Sequence, residues 1–140
     1  MSRLIPEPRR VVWSALANLS SHADWMADAD SITFAGDQTS GPGTVMRVPT
    51  RVGPFRTLDI IEITGWVEGE RIDAEHRGIV TGAGSFALTD RPDGTLLTWG
   101  EDLRFPWWLG GAIGASIARP ILRRIWANNL ARFEKTLSSP

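Results

Sequence analysis

His76 and Glu101 are the two side chains whose setting best suits them to chemistry. Side chains alternate across a strand, so in 71–77 Ile72, Ala74 and His76 share one face and Arg71, Asp73, Glu75 and Arg77 take the other. In 95–105, Leu97, Trp99, Glu101 and Leu103 share a face opposite Leu96, Thr98, Asp102 and Arg104. Each of the two is thus the polar member of an apolar row. If both rows line one cavity, His76 and Glu101 form an acid/base pair able to move a proton on a bound carbonyl compound, with Arg47 to orient it. The plainer reading is a structural histidine and a carboxylate neutralised by an arginine such as Arg47.

What is absent narrows the chemistry further. The chain has no cysteine, hence no disulfide, thiolate nucleophile or cysteine zinc site, and no tyrosine to serve as a phenolic acid. Two histidines, His22 and His76, cannot build a histidine-rich metal site. Gly82-Ala83-Gly84-Ser85-Phe86 lacks the glycine that a nucleophile elbow needs after its serine. Neither it nor Gly110-Gly111-Ala112-Ile113-Gly114 has the spacing of a nucleotide loop; paired glycines in a strand mark a bulge or a close backbone approach. No metal, nucleotide or other cofactor is expected.

The seven tryptophans are a stronger signal of binding. Trp13 and Trp126 fall in helical stripes and read as core. Trp25, Trp66, Trp99, Trp107 and Trp108 lie at element ends or on strands that would face a cavity. Small residues between Gly110 and Ser116, Gly111 and Ala115 among them, leave either close packing or empty space beside the sheet. An adjacent tryptophan pair is costly to expose, so it plugs a cavity mouth or touches a ligand or membrane.

The elements that must hold these residues follow from periodicity. From Pro106 to Leu137, apolar residues (Ile117, Ile121, Ile125; Leu122, Trp126, Leu130, Phe133, Leu137) recur at steps of three and four, a long amphipathic helix that needs an apolar sheet to lie on. Pro120 removes a backbone donor and predicts a kink. Near the N-terminus a strand stub precedes a helix over roughly 7–19, and Ser21-His22-Ala23-Asp24 reads as a capping box opening a second short helix. Between them lie about six strands broken by Ser40-Gly41-Pro42-Gly43, Arg51-Val52-Gly53-Pro54, Glu68-Gly69-Glu70 and Arg91-Pro92-Asp93-Gly94. The length of 140 residues suits one domain. The predicted fold is α+β: a curved antiparallel sheet of six to seven strands, two short N-terminal helices and one long C-terminal helix across the sheet.

Charge says little about partners overall, with a net of -1 that gives no reason to expect nucleic acid. It is uneven, however: from Pro106 onward there are five basic residues and one acid. Phe105 to Ala118 is nearly all apolar or small and contains Gly110 and Gly114 at membrane-helix spacing, but at 14 residues it falls short of the roughly 20 a span needs. It reads as a buried or interfacial half-helix. The N-terminus lacks the apolar core of a signal peptide, so a cytoplasmic location is the default expectation.

This order of elements resembles the START-like, helix-grip proteins, and within them the SRPBCC group related to polyketide cyclase/dehydrase and lipid-transport domains. The resemblance rests on Val12-Trp13-Ser14-Ala15-Leu16, Ala23-Asp24-Trp25-Met26, Gly41-Pro42-Gly43-Thr44, Gly94-Thr95-Leu96-Leu97-Thr98-Trp99 through Pro106, and the last helix. It spans nearly the whole chain, with the first strand clipped. It implies a single START-like domain over 1–140 with an apolar cavity between sheet and last helix, holding a lipid, polyketide or similar molecule; some such proteins cyclise or dehydrate what they bind. The expected binding residues are Trp25, Arg47, Trp66, Trp99, Trp107, Trp108, Gly111 and Ala115. Three readings stay open: a hydrophobic-ligand binder, a cyclase/dehydratase-like enzyme using His76 and Glu101, and a regulatory module making a peripheral membrane contact or a homodimer.

Overall fold

The computed structural model describes residues 1–138. Seven strands form one antiparallel sheet: β1 (Ser2–Ile5), β2 (Thr33–Phe34), β3 (Val45–Val52), β4 (Phe55–Val67), β5 (Arg71–Arg77), β6 (Thr81–Arg91) and β7 (Gly94–Arg104), in the order β1-β7-β6-β5-β4-β3-β2. Helices α1 (Arg9–Ala17) and α2 (His22–Trp25) follow β1, and α3 (Gly111–Ser138) closes the described chain. The first strand is short but real, pairing Ser2 with Thr98 and Ile5 with Thr95. β6 and β7 meet in a two-residue turn at Pro92-Asp93, Arg91 opposing Gly94. A bulge between Ile63 and Gly65 interrupts the β4–β5 ladder and re-aims the end of β4.

Local chemistry explains most boundaries. Pro8 sits extended just ahead of α1, whose Val12, Trp13 and Leu16 are buried. The helix stops two residues short of the expected limit because Asn18 leaves helical geometry, and a 3-10 turn at Leu19–Ser21 drops Leu19 into the core. Ser21 does not cap α2 as its sequence suggests; its hydroxyl donates to the Asn18 carbonyl at 2.7 Å instead. Gly43 adopts φ 91°, where a side chain would be strained, and its N–H bonds the Ile63 carbonyl at 2.8 Å, so the turn before β3 joins β4 directly.

α3 does not lie down on the sheet along its whole length, as its apolar periodicity suggests. Leu130 and Phe133 are buried in the second half, and the helix packs against α1, α2, β1 and β7. In the first half Ile113, Ile117 and Ile121 are each more than half exposed. The helix passes through Pro120, which is exposed. Asn129, fully buried, fixes the junction: its Oδ1 accepts the Ala27 N–H at 3.0 Å and its amide donates to Asp28 at 2.9 Å.

Candidate functional site

The sheet's concave face and the first half of α3 enclose a cavity of about 630 Å³, well inside the range of ligand sites. One wall is aromatic. Phe86 and Trp99 lie 5.0 Å apart between ring centroids, and Trp99 is 5.7 Å from Trp126, all three lining the space. Behind them Trp25 and Phe133 meet at a tilt, 5.0 Å between ring centroids, in the core. Aliphatic side chains of β3, β4 and β5, including Met46, Ile61 and Ala74, and of α3, including Ile117 and Leu122, add to the lining.

A hydrogen-bonded cluster of ionisable side chains interrupts this surface, which also carries Asp28, Arg56 and Ser85. His76 Nδ1 lies 2.7 Å from Asp59 Oδ2 and His76 Nε2 lies 3.0 Å from Glu101 Oε2. The Trp99 indole N–H donates to Glu101 Oε1 at 2.9 Å. The three ionisable side chains are mostly shielded, Glu101 most of all at 8% exposure. Burial alone would lower the His76 pKa, but hydrogen bonds to Asp59 and Glu101 and the charges of both carboxylates outweigh it and push the value up to about 10. At neutral pH His76 is therefore an imidazolium donating both N–H groups. Gly84 makes the arrangement fit: a Cβ there would stand 2.5 Å from Glu101 Oε2, so the glycine clears the space the carboxylate occupies. Thr57 Oγ1 and Asp59 Oδ1 are buried without a hydrogen-bond partner among the described residues.

The sequence of this chain matches, over residues 1–138, the family described as polyketide cyclase / dehydrase and lipid transport. The chain belongs to this family. Solved structures share the fold of this polyketide cyclase/dehydrase and lipid transport domain at low identity. The Zhui aromatase/cyclase from Streptomyces sp. R1128 is 14% identical with a TM-score of 0.76, the match covering 99% of this chain and 91% of that one. Ara h 8.0201 gives 13% and 0.75 over 100% and 96%, and a Thermus thermophilus protein 16% and 0.72 over 98% and 94%. Curated proteins yield no match.

The domain disperses the residues singled out from sequence. His76, Glu101, Trp99 and Trp108 line the cavity; Trp25, Arg47, Trp66, Trp107, Gly111 and Ala115 do not. Trp25 is enclosed in the core, its indole N–H without a partner among the described residues. Trp66 packs edge-on against Trp13 at 5.4 Å and donates, as Trp13 does, to Glu68. These bonds, Trp66's first, hold the Glu68 carboxyl below the usual carboxylate range. Arg47 points outward because its neighbours Met46 and Val48 take the inner face, so Glu101 is paired with His76 and not with Arg47. Trp107 is exposed, and Gly111 and Ala115 are half-buried on α3. Two members of the site escaped the sequence reading. Asp59 shares its strand face with Ile61 and Ile63, the same alternation that marks His76, and Trp126 lines the cavity where its helical stripe suggested plain core.

Among the described residues no cluster of histidine and carboxylate side chains has metal-binding geometry, and no helix is long and apolar enough to cross a membrane. The Gly110–Gly114 spacing has a local cause. A Cβ on Gly114 would collide with the Leu109 carbonyl, so the glycine lets the turn at 107–109 fold back onto the start of α3.

Proposed function

We propose that this domain binds an apolar small molecule between the sheet and α3, with a hydrogen-bonding group of the ligand meeting the Asp59–His76–Glu101 end. The observation that carries this is a cavity of about 630 Å³ whose wall is mostly apolar and holds one hydrogen-bonded cluster of ionisable side chains, Asp59, His76 and Glu101. Apolar area supplies the affinity and a few placed polar groups set the orientation. The partnerless oxygens of Thr57 and Asp59 give the polar end spare capacity for a hydroxyl-like donor. Titration with Nile red, a neutral dye that brightens in apolar surroundings, tests the reading, alongside mass spectrometry of solvent extracts of the purified protein. Saturable binding lost in Ala74→Phe, which fills the cavity, is the expected result. Absence of binding by the natural protein, or equal binding by the filled variant, overturns it.

A second reading, acid/base catalysis of the cyclase/dehydratase kind, is favoured by the 3.0 Å contact of His76 with Glu101 inside the same cavity. As an imidazolium with both N–H groups engaged, His76 has no lone pair to accept a proton. The base would be a carboxylate, Asp59 or Glu101, with the imidazolium stabilising its charge and returning the proton. Hydrogen–deuterium exchange of the methyl protons of acetophenone, followed by NMR, probes this. Acceleration over buffer that disappears in Glu101→Gln supports catalysis; a rate equal to buffer's removes it.

A further inference from the structure

We propose that the open end of the cavity docks on an anionic lipid bilayer, so that an apolar ligand passes between membrane and cavity without crossing water; the passage rests on the binding reading above. The β3–β4 turn, the β5–β6 loop and the start of α3 gather at one end of the sheet. Large apolar side chains stand exposed there on both sides of the cavity: Phe55 at 70%, Trp107 at 87%, Ile113 at 74% and Ile117 at 67%. Ile113, Ile117 and Ile121 fall on successive turns of α3, and Ile117 and Ile121 also line the cavity, so the apolar wall continues outward onto the surface. An exposed indole beside such a stripe suits the interface between water and acyl chains. Charge on this stretch of α3 has one sign. Arg119, Arg123 and Arg124 are exposed, α3 has no acid before Glu134, and none of the three makes an ion pair among the described residues. Arg56 and Arg104 add to the same end. A second copy of the chain covering this face about a two-fold axis would bring those arginines against their own kind, whereas an anionic bilayer complements them.

Flotation with phosphatidylcholine vesicles, with and without phosphatidylglycerol, tests the proposal. The comparison variant is Trp107→Ser/Ile113→Ser, whose exposed positions do not line the cavity. The natural protein should float with phosphatidylglycerol vesicles, lose binding as salt is raised, and bind at least about tenfold more tightly than the variant. Flotation with neither vesicle, equal flotation of the variant, or a concentration-dependent dimer that the variant abolishes in place of vesicle binding would each overturn it. Nile red titration of both proteins without vesicles separates the two readings: dye bound without flotation sinks membrane docking alone, and no dye bound by the natural protein sinks the cavity reading.

Discussion

His76 holds together two carboxylates that would otherwise repel. Removing it as His76→Ala leaves Asp59 and Glu101 mostly buried with no cation between them, and urea unfolding should show a loss of about 3–5 kcal/mol. If that charge pair is the cause, adding Glu101→Gln to His76→Ala should restore part of the loss; no recovery would point to lost packing instead. Gly84→Ala is the companion test, since its methyl group meets Glu101 Oε2 at 2.5 Å. The variant should fold, lose about 1–3 kcal/mol from overpacking, and show altered Trp99 emission because Glu101 Oε1 accepts that indole's N–H. His76 and Glu101 were legible because alternation fixes which face each occupies. That they touch was not, since contact depends on the β5–β6–β7 register: His76 opposes Gly82 and Glu101 opposes Gly84, which puts them diagonally across β6.

The long helix is two elements in one. Its apolar repeat is continuous from Ile117 to Leu137, and nothing in that repeat says where the sheet falls away. The separation is set by tertiary constraints: Asn129 pins the middle of α3 to the segment after α2, while Gly114 and the turn at 107–109 fix its start. Asn129→Ala strands the Ala27 N–H and should cost about 1–3 kcal/mol, read as a shift in urea midpoint. Asn129→Asp keeps an acceptor for Ala27 but sets a negative charge beside Asp28, so it should also destabilise, and more so as salt is lowered. The tryptophans illustrate the same limit. Their number announced an aromatic cavity or core, yet Trp25 and Trp126 exchanged the expected places because helical periodicity locates a stripe and not what stands opposite.

Over the whole molecule the two histidines set opposing pH dependences. Burial lowers the His22 pKa to about 4 against the 6.5 of an ordinary histidine, so below that ordinary value the unfolded chain binds more protons and stability drops as the solution is made more acid. The His76 pKa lies above its ordinary value, so its contribution is complete below 6.5 and is lost as pH rises toward 10. Melting temperature should therefore peak near pH 6.5, with each limb contributing up to about 1.4 kcal/mol per pH unit. His76→Gln should flatten the alkaline limb and leave the acid one; an alkaline limb unchanged in that variant would show that other groups govern it. Overall architecture was the most legible level, since strand number and helix order both follow from periodicity and turn chemistry. One feature of that architecture also orders events in time. β1 pairs with β7, Ile5 opposite Thr95, and the Met1 amine bonds the Trp99 carbonyl at 3.1 Å. During synthesis at about 5–20 residues per second, the first strand waits roughly 5–20 s for its partner to be made. The apolar side of α1 and the growing sheet stay uncovered through that interval, and the aromatic wall can close only when α3 arrives. Nascent chains of this protein are thus expected to be clients of holding chaperones until α3 has left the ribosome.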